Sequence, residues 1–185
     1  LKQARRLHRL VEDLMILSRI ELGEVVFRFE AVFLPEAMDS VISLLDAKAA
    51  AKTIAMQNRL PQNLRPIKAD RDRLSQILVN VLDNAVKFTP EGGRITMEAE
   101  ERGDQVVLKI SDTGIGIPVE EVQRLGERFY RVDKARSREL GGTGLGLSIV
   151  KHLMLAHGGR MEIESRPGRG TTVSLCFPLN GPVKA

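Results

Sequence analysis

The first part of the chain places apolar residues three or four positions apart between charged ones, which predicts an amphipathic helix over residues 2–22. The apolar positions form a narrow seam that nothing else in the chain is predicted to cover: Leu7, Leu10, Val11, Leu14, Leu17 and Ile20. We therefore expect this helix to be half of a helical hairpin or bundle whose other half lies outside the chain. Gly23 is typical of a helix end, and a separate domain is predicted to follow it.

The middle of the chain alternates between the two-residue period of strands and the longer period of helices. A strand-like stretch from Val25 precedes a helix that starts at Leu34 and is predicted to bury one side: Ala37, Val41, Leu44, Leu45 and Ala49. A short strand over about residues 53–60 and a loop then lead to the clearest helix. Asp70 is predicted to cap this helix, which runs to about Phe88.

The second half of the chain predicts a hairpin, a loop, a helix and two further strands. The predicted positions are, in order, strands near 94–100 and 105–111, a charged mobile loop over 126–143, a helix over about 144–157, and two strands separated by a turn at 167–170. This order predicts an α+β fold, a two-layer α/β sandwich with a mixed sheet and helices on one face, preceded by the amphipathic helix.

The composition suits one domain of ordinary size with a short appendage, because 43% of the 185 residues are hydrophobic. The chain has 28 Lys and Arg against 24 Asp and Glu, a net charge of +4. Cys176 is the single cysteine, so no internal disulfide is possible and a reducing cytoplasm fits. No apolar stretch reaches the roughly 20 residues of a membrane span. We therefore expect a cytoplasmic domain, with any membrane anchor in segments upstream.

Two glycine-rich clusters carry the most chemical information. One is Asp112–Pro118 (DTGIGIP), and the other is Gly141–Ser148 (GGTGLGLS), which opens an apolar helix pattern. Glycine lets the backbone approach a ligand closely, and a helix that begins in a glycine run directs free N–H groups at an anion. Together the two clusters predict a nucleotide pocket.

The helix that Asp70 caps carries a polar stripe. Asn80, Asn84 and Lys87 lie at positions i, i+4 and i+7, which places two amides and an ammonium on one side of the helix. An amide oxygen suits Mg²⁺, and an ammonium suits phosphate oxygens. The alternative is a solvated polar face without a ligand.

At this point the sequence resembles sensor histidine kinases. The segment Asn80–Phe88 (NVLDNAVKF) resembles their N box, the two glycine clusters resemble their first and second glycine boxes, and Arg128–Ser137 resembles their F box and lid. The resemblance implies three parts. Residues 1–23 would be the second helix of the dimerisation and histidine-phosphotransfer hairpin, residues 24–180 the catalytic ATP-binding domain, and residues 181–185 a flexible tail.

That domain belongs to the superfamily shared with gyrase B subunits, MutL and the large heat-shock chaperone, whose Bergerat-type sandwich holds ATP between helices and a lid. By resemblance, Asp112 binds the adenine amine, Asn84 is the Mg²⁺ ligand and Asn80 supports the metal and phosphate region. The remaining residues implied to bind the nucleotide are Lys87, Phe88, Gly114, Gly116, Ile117, Gly142, Thr143, Gly144, Leu145, Gly146 and Leu147. Without the motifs around them, a turn or capping role would be favoured for Asp112, and a core position would suit Phe88 equally well.

Basic residues concentrate between positions 124 and 138, where acidic ones are interleaved. Because this segment lies between the two glycine clusters, phosphate contact is favoured over binding to a nucleic acid. By resemblance, Arg131 and Arg136 contact the triphosphate and Phe129 holds the lid against the domain. Plain solvent exposure is the alternative for either arginine.

The reaction implied is phosphoryl transfer. Hydrolytic members of the superfamily have a Glu where this chain has Asn80, and an amide cannot accept a proton from water. We therefore expect a neutral imidazole to attack the γ-phosphorus of Mg²⁺-bound ATP in line. No histidine here fits the family's phosphoacceptor motif: His8 is followed by Arg-Leu-Val, and His152 and His157 lie beyond the second glycine cluster.

The sequence therefore predicts the catalytic portion of a sensor histidine kinase, with its phosphoacceptor histidine on an upstream helix absent from this chain. The predicted partners are ATP, that helix, a response regulator that accepts phosphate on Asp, and a second copy in the full-length homodimer. Two alternatives remain open, a water-using ATPase of the same superfamily and a non-catalytic nucleotide-binding scaffold.

Overall fold

The computed structural model describes residues 2–132 and 142–182, and the structural statements below concern these residues. Their elements are, in chain order, α1 (Lys2–Glu21), β1 (Phe29–Val32), α2 (Leu34–Ala50), β2 (Ala55–Asn58), β3 (Ile67–Asp70), α3 (Arg71–Phe88), β4 (Arg94–Arg102), β5 (Gln105–Asp112), α4 (Val119–Val122), α5 (Gly146–Ala156), β6 (Arg160–Arg166) and β7 (Gly170–Pro178).

Five strands form a mixed sheet in the order β2-β4-β5-β7-β6, in which β2 and β4 are parallel and the other neighbours are antiparallel. The strands β1 and β3 form a separate antiparallel pair. The helices α2, α3 and α5 pack against the five-stranded sheet, and α3 lies between the other two. Buried aliphatic side chains fill the space between these layers. The predicted α+β class, with a mixed sheet and a helical layer, is confirmed.

Two local predictions differ from the structure. The segment predicted as a loop before Asp70 contains β3, whose four residues are too few to show a strand period and which forms by pairing with β1. On α2, Leu44 is 68% exposed although it is predicted to be packed. Three of the buried positions were predicted, namely Val41, Leu45 and Ala49. Three others were not: Leu34, Pro35 and Met38.

The helix α3 is fixed at both ends. At its N-terminus, Asp70 Oδ1 accepts a hydrogen bond from the Arg73 N–H at 3.0 Å, as the predicted cap requires. At its C-terminus, the Lys52 ammonium donates to three backbone carbonyl oxygens, those of Val86 (2.7 Å), Lys87 (3.1 Å) and Thr89. Burial lowers the pKa of Lys52. These contacts determine where the side chains of α3 point.

The helix α1 packs on the rest of the fold. Leu17 is fully buried, and α1 contacts α5. The expectation that nothing in the chain covers the apolar seam is therefore wrong for Leu17 and its neighbours, although Leu7, Val11 and Leu14 remain between 45% and 63% exposed. Neither this helix nor any other in the described ranges is long and apolar enough to cross a membrane.

Candidate active site

A cavity of about 430 Å³ lies between α3, the C-terminal end of β5 and the segments on either side of residues 133–141. Residues from both glycine clusters and from the polar stripe on α3 line its wall. The cavity therefore brings together motifs that are far apart in the sequence.

The polar stripe on α3 faces this cavity. Asn80, Asn84, Lys87 and Phe88 all line it, and each is half-buried. The opposite side of α3 is buried in the core, as the sequence predicts: Leu74, Ile77, Leu78, Val81 and Leu82. The stripe is thus part of a cavity wall and not a fully solvated surface.

A half-buried carboxylate pairs with two lysines in the same wall. Asp83 Oδ2 lies 2.5 Å from the Lys87 ammonium, and Asp83 Oδ1 lies 2.9 Å from the Lys48 ammonium. Burial raises the pKa of Asp83, but the hydrogen bonds from the two lysines outweigh this effect and leave the pKa below its ordinary value. Neither Asp83 nor Lys48 was predicted from the sequence as a site residue. Asp83 lies within the N-box-like segment, whereas no local pattern marks Lys48 on α2.

Asp112 is held at the end of β5 by backbone hydrogen bonds. Its Oδ1 accepts from the Gly114 N–H at 2.7 Å and from the Thr171 N–H at 3.2 Å. Burial raises the pKa of this carboxyl, and the two N–H donors offset the rise only in part. Because both donors bind Oδ1, the geometry leaves Oδ2 to accept from a ligand. Thr171, which also lines the cavity, was missed because only the pairing of β5 with β7 brings it to Asp112.

The first glycine cluster turns tightly beside Asp112. Gly116 has a φ of +67°, and a Cβ there would lie 1.9 Å from the carbonyl oxygen of Arg166. The next N–H, that of Ile117, donates to Ser165 Oγ at 2.9 Å. Gly116 and Ile117 line the cavity, whereas Gly114 acts through its N–H on Asp112. The cluster is thereby attached to the end of β6.

The second glycine cluster forms another part of the wall. The cavity is lined by Gly142, Thr143, Gly144, Gly146 and Leu147, whereas Leu145 is fully buried in the core. Gly146 begins α5, and a Cβ there would lie 3.5 Å from Asn80 Oδ1. The first turn of α5 therefore meets α3 at Asn80, with backbone N–H groups available to an anion.

The segment after α4 supplies Tyr130 and Arg131 to the wall. The Arg124 guanidinium lies 3.9 Å from the centre of the Tyr130 ring, a cation–π contact. Phe129 is 54% exposed, and its N–H donates to the Gly144 carbonyl at 3.0 Å. Arg136 lies outside the described residues, as does most of the predicted lid.

The helix α1 also reaches the cavity, a contact that was not predicted from the sequence. Asp13 lines the wall and accepts a hydrogen bond from Thr143 Oγ1 at 2.9 Å. Two turns further along α1, Glu21 pairs with Arg128 and lies 3.1 Å from His152 Nε2. Because acids on an amphipathic helix usually face solvent, its pattern gave no signal for these contacts.

The cavity is elongated along α3. The Ile115 N–H donates to the Phe88 carbonyl at 3.3 Å, so the first glycine cluster meets α3 at Phe88. The second cluster meets α3 at Asn80. At 1.5 Å per residue, these two contacts lie about 12 Å apart along the helix. We refer to the two regions as the Asp112 end and the Asn80 end.

The donor set fits a magnesium ion that is held together with a ligand. The described residues contain no cluster of three or more His, Cys, Asp or Glu that would hold a metal by themselves. The amide oxygen of Asn84 in the cavity wall is a suitable ligand, because Mg²⁺ in nucleotide sites is held by one or two protein oxygens with phosphate oxygens and water.

Comparison with known proteins gives concordant results. Residues 69–181 match the family of histidine kinase-, DNA gyrase B-, and HSP90-like ATPases. The sensor histidine kinase WalK of Bacillus subtilis is 37% identical over 95% of this chain. The structure of full-length ShkA in complex with AMPPNP superposes with a TM-score of 0.83, at 30% identity over 96% of this chain. Histidine kinase ThkA, solved in complex with the response regulator TrrA, has the same fold, with a TM-score of 0.77 at 24% identity over 96% of this chain and 48% of ThkA.

The chain spans 29% of the length of WalK and 37% of ShkA. The similarity therefore concerns one part of these longer proteins.

Proposed function

Because this chain belongs to the family of histidine kinase-, DNA gyrase B-, and HSP90-like ATPases, we propose that it acts as the ATP-binding catalytic domain of a sensor histidine kinase. In this role it binds ATP with Mg²⁺ and transfers the γ-phosphoryl group to a histidine outside the chain. One observation carries this proposal. A carboxylate held by backbone amides lies in the same elongated cavity as the amide and ammonium groups of α3.

The Asp112 end is proposed to bind adenine. A carboxylate oxygen accepts hydrogen bonds, so Oδ2 of Asp112 suits the exocyclic amine of the base. Gly114 supplies the N–H that orients Asp112, and Gly116 and Ile117 form the loop that approaches the base and ribose. Phe88 covers the nucleoside.

The Asn80 end and the charged side chains are proposed to bind the triphosphate. Asn84 would hold Mg²⁺, which supplies positive charge to the phosphate oxygens, and Asn80 supports this region. The proposed phosphate contacts are Lys87, Arg131 and Arg136, together with the second glycine cluster, Gly142 to Leu147. Phe129, whose backbone N–H donates to the Gly144 carbonyl oxygen, would hold the lid segment against the domain.

The nucleophile is proposed to come from outside this chain. Asn80 cannot serve as a base for water. Of the three histidines, His8 is exposed beside Glu12, His152 lies beside Glu21 and His157 is buried in the core, and none lines the cavity. An external imidazole nitrogen would form a bond to the γ-phosphorus while the bond from phosphorus to the bridging oxygen breaks, so that ADP leaves.

The full-length protein is proposed to act as a homodimer that passes phosphate to an aspartate of a response regulator. In this proposal, residues 1–23 are the second helix of the dimerisation hairpin, residues 24–180 the catalytic domain and residues 181–185 a tail. The catalytic domain would face the cytoplasm, with any membrane anchor in segments beyond this chain. No nucleic acid is proposed as a partner.

The proposal is tested first by calorimetric titration of ATP with and without Mg²⁺. We expect saturable binding that Mg²⁺ strengthens. The chain is then mixed with ATP and a polypeptide that carries the upstream acceptor helix, with a His→Gln version as the control. We expect acid-labile phosphate on the first polypeptide and none on the control. Steady phosphate release without an acceptor would instead indicate a water-using ATPase, and binding without any transfer would indicate a scaffold.

A further inference from the structure

One carboxylate in the cavity wall is shared between lysines of two different helices. Asp83 and Lys87 lie four residues apart on α3, so they share one side of that helix. Lys48 belongs to the last turn of α2, which packs against α3. Asp83 Oδ2 lies 2.5 Å from the Lys87 ammonium, and Asp83 Oδ1 lies 2.9 Å from the Lys48 ammonium. Because each ammonium has a carboxylate oxygen of its own, either can move away while the other stays.

The three side chains differ in exposure to solvent. Lys48 is 61% exposed, whereas Asp83 and Lys87 are 17% and 22% exposed. Water can screen little of the Asp83 charge, so leaving this carboxylate without a cation would cost free energy. Lys87 is the cation that the proposed function assigns to the phosphate oxygens, and its present partner is Asp83.

We propose that Lys48 is a positioning residue for the triphosphate, because it keeps Asp83 paired when Lys87 turns from Asp83 to a phosphate oxygen. This inference rests on the proposed function, in which Lys87 binds phosphate. Without Lys48, the pair with Lys87 would be the one ion pair left to Asp83 among the described residues. Transfer of Lys87 to phosphate would then leave the carboxylate unpaired. Lys48 therefore acts through Asp83, without contacting the nucleotide.

The test compares two lysines that are each paired with an acid. Lys48→Met removes the ammonium and keeps an unbranched side chain. Lys109→Met is the matched control, because Lys109 pairs with Glu100 and does not line the cavity. Each protein is titrated calorimetrically with ATP plus Mg²⁺ and, separately, with adenosine, which has no phosphate to draw Lys87 away from Asp83.

The expected result is a loss that is specific to the triphosphate. Lys48→Met should bind ATP about fivefold more weakly than the original chain, whereas its affinity for adenosine should not change. Lys109→Met should leave both affinities unchanged. Lys48→Arg, which can still pair with Asp83, should bind ATP about as tightly as the original chain. Urea denaturation checks that these variants are folded.

A double-mutant cycle tests whether Lys48 acts through Asp83. Asp83→Asn removes the charge that competes with phosphate for Lys87, so this variant should bind ATP at least as tightly as the original chain. When Lys48→Met is added to Asp83→Asn, the further change in ATP affinity should be less than about twofold. A direct contact between Lys48 and phosphate would instead give the same fivefold loss in both backgrounds.

The outcomes separate this inference from the proposed function. If the original chain binds ATP and Lys48→Met binds it equally well, the inference is overturned and the proposed function stands. Equal losses for ATP and adenosine would show a general structural effect and also overturn it, as would an unchanged loss in the Asp83→Asn background. Weaker ATP binding by Asp83→Asn alone would overturn it too. If the original chain binds neither ligand, the proposed function fails and the inference fails with it.

Discussion

The Asp112 end of the cavity is held by backbone hydrogen bonds, whereas the remainder of the wall is held by contacts between charged and polar side chains. Asp112 is oriented by the N–H groups of Gly114 and Thr171. Elsewhere, Asp83 pairs with Lys48 and Lys87. We call the second group, with Asp13 and Arg131, the charged wall.

This difference has consequences for binding. The hydrogen bonds at Asp112 form on folding and need not break when a base binds, so the proposed recognition there would be preorganised. The cations of the charged wall would have to share their protein partners with phosphate oxygens, or exchange one for the other, if they bind the triphosphate as proposed. Under the proposed function, affinity for the base would thus be fixed by the fold, whereas affinity for phosphate would depend on a balance of charges that substitutions can shift in either direction.

The largest effect is expected from Asp112→Asn. The Asn oxygen can retain both backbone hydrogen bonds, but an NH₂ group then replaces Oδ2 and opposes the amine of adenine. Affinity for ATP should fall about 100-fold, because a buried polar pair is lost and two donors meet. Adenosine should lose a similar factor, since the effect lies at the base. Calorimetric titration with both ligands measures this.

The same substitution has a stability control. Since burial raises the pKa of Asp112 in the folded state, its ionised form costs stability at neutral pH. The free energy of unfolding of Asp112→Asn at pH 7 should therefore equal or exceed that of the original chain. A destabilised Asp112→Asn, or one that still binds adenosine well, would contradict the preorganised description of the Asp112 end.

The second prediction tests the tight turn beside Asp112. Gly116→Ala places a methyl group 1.9 Å from the Arg166 carbonyl oxygen, whereas Gly103→Ala meets open space at a similar φ of +64°. We expect Gly116→Ala to lower the free energy of unfolding by about 3 kcal/mol and Gly103→Ala by about 1 kcal/mol. Urea denaturation measures both values. Equal losses of unfolding free energy would mean that contact between the new methyl group and the Arg166 carbonyl oxygen does not destabilise the fold.

The third prediction concerns the polar stripe. Asn84→Ala removes the proposed Mg²⁺ ligand, so ATP affinity in the presence of Mg²⁺ should fall about tenfold. Affinity for ATP without Mg²⁺, and for adenosine, should not change. An equal loss with adenosine would place Asn84 at the base and remove the distinction between the two regions.

The smallest effect is expected from pH. The pKa of Asp112 lies above its ordinary value of 3.8, so acidification protonates Asp112 earlier than an exposed carboxyl. Protonation weakens Asp112 as an acceptor, and affinity for adenosine should decline as the pH falls towards the raised pKa and stay constant above it. Asp112→Asn should show no such decline. A pH profile of adenosine binding that is the same in both proteins would contradict this assignment.

Local signals explain which parts of the fold the sequence predicts. The cap at Asp70 and the helical period locate α3 within a residue or two, and the polar stripe identifies the side that faces the cavity. Partners that are distant in sequence leave no local pattern. For this reason Thr171, Lys48 and β3 were missed, as was the position of Asp13 in the cavity wall, which depends on how α1 packs. The functions assigned to individual residues in the cavity remain predictions.

The hydrogen bond between Asp112 and Thr171 joins residues that are 59 positions apart. Synthesis from the N-terminus therefore produces the whole N-box-like segment and both glycine clusters before the amide that orients Asp112 exists. A nascent chain that ends before Thr171 contains every recognisable motif but lacks the anchored carboxylate. Nucleotide can then stabilise the domain only after its last strand has emerged and paired, so ATP would protect the finished fold and not its precursors.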